Sequence, residues 1–252
     1  MSNAAGAMPD IIWLESTGST NAEAQALHSQ GRRSPVWVAA GEQTAGRGRQ
    51  GRDWVSKPGN LYASLLWPVP DVPLDRLSSL SLVAGLAVAD AFVAAGPNAA
   101  VELKWPNDVL IGGCKAAGIL VETTGQGEGL AAIIGCGLNL AHHPEGTRWP
   151  ATHLAAHRRP VDPRDMLSLL AASMEVRLEQ WDAGRGMAAA LAGWQSRAMG
   201  LGTRIRLPDG GTGRFCGLAG SGALEMERDD GSLVVHHAGD VEWLDARPQE
   251  GH

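Results

Sequence analysis

A chain of 252 residues and 26.4 kDa carries 21 basic against 27 acidic residues, a formal net charge of −6, and 44% hydrophobic residues. That suits one large domain, or a medium domain with a small appendage, and the acidic balance argues against a surface built to hold duplex nucleic acid, local basic patches aside. Three widely spaced cysteines, Cys114, Cys136 and Cys216, give neither a disulfide framework nor metal-ligand spacing, no N-terminal stretch has the parts of a secretory signal, and Asp90 breaks the longest apolar run, so a cytoplasmic protein with no membrane partner is expected.

Ile11 to Glu15 reads as a short strand. Thr20-Asn21-Ala22-Glu23 then fits a capping box that opens a helix ending near Gly31. Val36 to Ala40 is a second strand, and Leu61, Ala63, Leu65 and Trp67 alternate as a third. Leu77, Leu80, Val83, Leu86 and Ala87 recur at helical spacing until Gly96-Pro97. A run of strands follows: VELKW, VLI, KAAGILVET and LAAIIGCGLNL, separated by Pro-Asn-Asp and glycine turns. Helices are expected from Asp162-Pro163 to about Trp181 and from Met187 to about Met199. Beyond Gly202, short strands punctuated by PDGG, GSG and DDG turns read as a small β-barrel. The whole is an α+β fold, a mixed β-sheet with helices packed on one side, divided into residues 1–200 and an appended all-β unit, 201–252.

Between the second and third strands lies TAGRGRQGRDW, residues 44–54. Gly46, Gly48 and Gly51 spell G-x-G-x-x-G, and Asp71 follows about 20 positions on, as in a dinucleotide-binding turn. That motif needs a helix to open directly after the last glycine, whereas Pro58 and Gly59 leave no room for one here. An anion-binding loop fits better: the glycines permit close approach and positive φ, and Arg47, Arg49 and Arg52 offer forked donors to carboxylate or phosphate. Such a loop is expected to be mobile when empty and ordered by an anion; a solvated connector or an RNA-contacting arm is its alternative.

Three further segments place polar or small residues where a core does not need them. In LKWPNDVLI, Lys104 and Trp105 end a strand and Asn107 and Asp108 project from the turn. In GGCKAAGILVE, Lys115 begins a strand whose small residues, among them Gly118, leave room for a ligand against the backbone. In IIGCGLNL, Gly135, Gly137 and Asn139 end a buried strand. Lysine occurs only at 57, 104 and 115, against 18 arginines, which points to sites that need an ammonium point charge.

Taken together, the motifs resemble those of the biotin protein ligases. GRGRQGR is similar to their glycine-arginine loop, KWPND and K-x-x-G-I-L-V-E to their adenylate-site motifs, GCGLNL to their G-x-G-x-N segment, and Ser19-Thr20-Asn21 and Glu42-Gln43-Thr44 to the positions that read biotin. The likeness runs from about Trp13 to Asn139 in matching order. It implies a class II aminoacyl-tRNA synthetase-like catalytic domain and an SH3-like C-terminal barrel. It also implies a two-step reaction with ATP and Mg²⁺: biotin becomes biotinyl-AMP, then passes to a lysine of a carboxylase's biotin carboxyl carrier domain.

By the same resemblance Ser19, Thr20, Asn21, Gln43, Gly46, Arg47 and Gly118 face biotin, while Arg49, Arg52, Trp54, Lys104, Asn107, Lys115 and Asn139 face ATP or the adenylate. Lys115 and Arg49 are catalytic, together with Asp108, for which orienting the incoming amine and placing the metal both stay open; the metal ligands themselves are not identified. Gln50 departs from the pattern, standing where some members have another arginine. Only about ten residues precede the first strand, too few for the helix-turn-helix of repressor-type members, so no sequence-specific DNA binding is expected. A homodimer is left open, since some relatives pair through sheet edges. The rival readings are a lipoate-protein ligase and a noncatalytic RNA-binding module.

Overall fold

The computed structural model describes residues 9–70 and 72–245. Asp71 and most of the segment ahead of the first strand lie outside the described residues. Among the described residues twelve strands form two sheets, accompanied by five α-helices, of which the short α2 spans Leu74–Leu77. The first comprises β1 (Asp10–Leu14), β2 (Val36–Ala40), β3 (Leu61–Pro68), β4 (Val101–Lys104), β5 (Asp108–Ile111), β6 (Cys114–Thr124) and β7 (Ala131–Leu138), in the order β1-β2-β3-β7-β6-β5-β4. Only β1 and β2 run parallel, joined through α1 (Thr20–Ser29); every other pair is antiparallel.

Alternation along the central strands feeds two apolar layers. Trp37 and Ala39 of β2, Ala63 and Leu65 of β3 and Ile134 of β7 join the larger core, made with α3 (Leu80–Ala95) and α4 (Pro163–Trp181). Val36, Val38, Leu66 and Ile133 point the other way, onto Ala24 and Leu27 of α1. The mixed sheet is as expected and carries α3, α4 and α5 (Met187–Gln195) on one side; α1 alone covers the opposite face, because its connection closes a parallel strand pair.

Two local expectations fail for physical reasons. The capping box on α1 does not form: Ser19 is the N-cap without a side-chain bond, Glu23 accepts from the Thr17 hydroxyl at 2.6 Å, and the Thr20 backbone N–H donates to Gln43 Oε1 at 2.9 Å. The helix start is thus capped from a distant loop. Helix α5 stops at Gln195 instead of Met199 because the chain then pairs with the sheet edge, Leu103 N to Arg197 O and Met199 N to Leu103 O, each at 2.8 Å. By contrast Asp162 caps α4 as expected, accepting from Arg164 N at 2.8 Å, and Gly96 ends α3 at φ +78°.

The second, antiparallel sheet holds β8 (Arg204–Arg206), β9 (Thr212–Leu218), β10 (Leu224–Glu227), β11 (Leu233–His236) and β12 (Glu242–Trp243), ordered β11-β10-β9-β8-β12 and consistent with a small SH3-like barrel. Its Phe215, Leu224, Met226 and Trp243 belong to the same apolar cluster as the larger core, and Trp105 Nε1 donates to Gly222 O at 3.2 Å. The preceding segment Leu74–Ala95, apolar and long enough by composition to cross a membrane, is largely buried inside this core.

Candidate active site

A cavity of about 570 Å³ opens over the face of the first sheet that carries α1, a volume suited to a small organic ligand. Its floor is bare of side chains. Gly118 of β6 pairs with Gly137 of β7, and Gly135 lies two residues earlier. A Cβ on Gly137 would come within 2.5 Å of Trp54 Nε1, one on Gly118 within 3.0 Å of the same indole, and one on Gly135 within 2.3 Å of Asn21 Oδ1. The glycines are therefore the condition for seating Trp54 and Asn21 against the sheet. The Trp54 indole N–H is buried with no partner among the described residues.

At the end nearest α1 the wall is polar and almost fully protein-bonded. Gln43 Nε2 donates to Ser56 Oγ at 2.9 Å, which donates to Trp54 O at 2.9 Å. Gln43 Oε1 takes the Thr20 N–H; Thr20 Oγ1 lies 2.7 Å from Ser64 Oγ, and Ser64 reaches Asn21 Oδ1 at 2.5 Å. Asn21 Nδ2 donates to Glu122 at 2.7 Å, and Arg47 stands 4.0 Å from that carboxylate. Ser19 completes this wall. Gly46 does not line the cavity: it is packed behind it, where a Cβ would meet Ser56 Oγ and Trp54 O at 2.6 Å, so its part is to let Gln43 and Ser56 come together.

The other end is cationic. Asp108, at the start of β5, holds Lys115 at 2.6 Å and Lys104 at 3.5 Å. The two ammonium groups also stand over aromatic rings, Lys115 at 5.2 Å from Trp54 and Lys104 at 4.9 Å from Trp149. Burial pulls the Lys104 ammonium below its ordinary value, Asp108 partly restoring it and Lys115 lowering it further. Burial likewise lowers the Arg49 guanidinium, against the opposing pull of Asp240 and Asp108. Both cations are thus held in a partly desolvated site, where an incoming anion would be welcomed.

The glycine-arginine loop folds over this end as a tight hairpin. Trp54 N donates to Gly46 O at 3.0 Å and Gly48 N to Arg52 O at 2.7 Å, with Gln50 and Gly51 at φ +57° and +71°. Positive φ at position 50 is a turn requirement, and a glutamine meets it here. Arg49 donates to Asn107 Oδ1 at 3.2 Å, Asn107 is fixed by its own bond to Ile119 O at 2.8 Å, and Arg52 pairs with Asp240 at 2.8 Å. The loop's contacts are polar, with Arg47 to Glu122, Arg49 to Asn107 and Arg52 to Asp240, the last in the turn between β11 and β12. Asn139 is buried and donates to Thr152 O at 3.0 Å, tying down the segment that carries Trp149.

Apart from Gly46, every residue anticipated for the site lines the cavity. Ser64, Glu122, Trp149 and Asp240 were not anticipated. Glu122 closes the quoted K-x-x-G-I-L-V-E motif and Trp149 is an aromatic in a polar loop, both visible signals; nothing in the sequence marks Asp240, which comes from the second sheet. Of the cysteines, Cys136 is buried, which pushes its thiol up to about 12, and all three are unpaired.

The arrangement joins a hydrogen-bonding wall and a cationic end in one cavity, Lys115 standing at the cationic end beside the glycine floor. Comparison with known proteins agrees. The model of the Biotin/lipoate A/B protein ligase family matches residues 13–139. The biotin–[acetyl-CoA-carboxylase] ligase of Paracoccus denitrificans is 40% identical over 88% of this chain and 96% of its own length, and that of Mycobacterium tuberculosis 37% identical over 90% and 86%. The biotin protein ligase of Aquifex aeolicus, solved with biotin and ATP, superposes with a TM-score of 0.80 at 27% identity, covering 93% of this chain and 99% of that one. With half of its length matched by the family model and relatives of this identity along most of the rest, the chain belongs to the biotin/lipoate A/B protein ligase family.

Proposed function

We propose that this chain is a monofunctional biotin protein ligase that activates biotin with ATP and transfers it to a lysine of a biotin carboxyl carrier domain. The observation that carries the reading is a cavity in which a wall of oriented hydroxyl and amide groups meets Arg49, Arg52, Lys104 and Lys115, in a chain 40% identical to a biotin–[acetyl-CoA-carboxylase] ligase. A cyclic urea suits the first part and a triphosphate the second.

In the first step the biotin carboxylate attacks the α-phosphorus and pyrophosphate leaves. Two anions must meet, so fixed positive charge is the main requirement. Lys115 follows charge on both partners, Arg49, Arg52 and Lys104 hold phosphates, and Asp108 positions the two lysines. In the second step the carrier lysine's Nζ attacks the acyl carbon, AMP leaves, and a proton is lost from the amine. The folded loop and Trp54 shield the mixed anhydride from water meanwhile.

No group of three or more His, Cys, Asp or Glu side chains converges among the described residues, and both oxygens of Asp108 already face ammonium groups. These residues would suit a Mg²⁺ held chiefly by the nucleotide's phosphates, with Asp240 the carboxylate that could add to it. Such an ion offsets the charge of the triphosphate. In this reading the residues up to about 200 carry the catalytic groups, the all-β unit after them closes the nucleotide end, and the protein works in the cytoplasm.

ATP–pyrophosphate exchange run with biotin, with lipoate and with neither tests the proposal. Exchange that depends on biotin supports it; exchange that depends on lipoate, or none with either acid, overturns it.

A further inference from the structure

Resting on the biotin reading, we propose that Glu122 is a positioning residue that fixes the direction of the hydrogen-bond chain behind the urea-binding wall, and so makes Thr20 an acceptor toward the ligand. Proton counting along the chain gives the direction. Glu122, as a carboxylate, can only accept, so Asn21 turns Nδ2 toward it, at 2.7 Å. Asn21 Oδ1 then faces Ser64 and takes the one proton that Ser64 has, at 2.5 Å. The 2.7 Å contact between Ser64 and Thr20 must in turn use the Thr20 proton. Gln43 Oε1, 3.1 Å from Thr20 Oγ1, is left to the Thr20 backbone N–H at 2.9 Å. With its proton committed away from the cavity, the Thr20 hydroxyl presents lone pairs to it.

An N–H of a cyclic urea matches that presentation, and a dithiolane, which has no N–H, does not. Gln43 is locked independently, through Ser56 to Trp54 O, so Glu122 is the terminus that sets the Asn21 branch. The absence of a side chain at Gly135 is what lets Asn21 lie flat enough to bridge the two. Glu122 does not line the cavity itself; Arg47, 4.0 Å away, is the neighbour that links it to the loop.

The test uses the full chain. Biotin Kd is measured by calorimetry and ATP KM by pyrophosphate exchange at saturating biotin, for the wild type, Glu122→Leu, Glu122→Gln, Asn21→Asp and the double variant Asn21→Asp/Glu122→Gln. Glu122→Leu removes the acceptor and is expected to weaken biotin by about 10- to 100-fold, as loss of an orienting partner typically does, with ATP KM moving by no more than about threefold. Glu122→Gln keeps an acceptor oxygen and stays within about fivefold of wild type. Asn21→Asp sets two carboxylates face to face and weakens biotin; in the double variant the glutamine donates to the aspartate, Ser64 keeps its acceptor, and at least about tenfold of the loss returns.

Biotin affinity in Glu122→Leu within about twofold of wild type overturns the proposal, as does an equal rise in ATP KM, or a double variant no better than Asn21→Asp. If Glu122→Leu does not fold, the Asn21 pair decides alone. A wild type that folds yet binds no biotin overturns the functional reading itself, which is a different result.

Discussion

Lys115 sits where a strand begins, beside a glycine floor, with its ammonium 2.6 Å from Asp108 and under the Trp54 ring. Its position is set by backbone as well as by charge: Lys115 N bonds Pro150 O at 2.8 Å, and Thr152 N bonds Lys115 O at 2.9 Å. In the proposed reaction Lys115 stands between carboxylate and phosphate, so Lys115→Ala is expected to slow adenylate formation by about 10² to 10³, read as the pyrophosphate exchange rate at saturating biotin and ATP. An unchanged rate would take Lys115 out of the chemistry. At this scale the sequence was informative, because a lysine used at only three positions and glycines clustered in strands are visible without coordinates. Ser64 was not visible: a serine in an apolar strand carries no mark until α1 is laid across it.

The arginine loop behaves as one element whose closure is distributed over Arg47, Arg49 and Arg52, each with a partner on a different part of the molecule. Arg49→Ala removes the contact to Asn107 and, in the proposed function, one cation toward the phosphates. Biotinyl-AMP is then expected to leave faster, by about tenfold or more, and ligand to protect the loop less from proteolysis, with the melting temperature little changed. An unaltered off-rate together with unaltered protection would sink the lid role. In the helical layer, Asp90 of α3 binds Arg177 and Arg197, each at 2.6 Å. Burial pushes its carboxyl up, but the two arginines outweigh this and leave it below the ordinary value. A lowered folded value means that the stabilisation is complete above the unfolded carboxylate range, about pH 4, and is lost as pH falls through the folded value. Asp90→Asn is therefore expected to cost about 1–3 kcal/mol near neutrality. The gap from wild type should close below about pH 4 in thermal melts. A gap that is constant down to pH 3 would show that the charge is not what matters.

At the scale of the molecule, the two sheets share one apolar core and one functional seam. Trp105, Phe215 and Trp243 belong to the same cluster, and Asp240 reaches the loop from the barrel. A truncated chain of residues 1–200 is accordingly expected to expose Trp105 and Met199, to bind an apolar dye and to melt at a clearly lower temperature. A truncated chain that melts at the temperature of the full one would show the barrel to be an independent appendage. The amino-acid sequence by itself determined the element order, the strand-rich middle and the gathering of glycine and arginine in residues 46–52, because periodicity, glycine placement and charge are local properties of the chain. Only the tertiary structure decided that α1 stands alone on the ligand face, that Gln43 takes over the capping of that helix, that Gly46 supports the wall from behind, and that Asp240 enters the site. Those facts depend on which distant segments meet, and one strand register or one helix face shifted by a residue would have paired them differently.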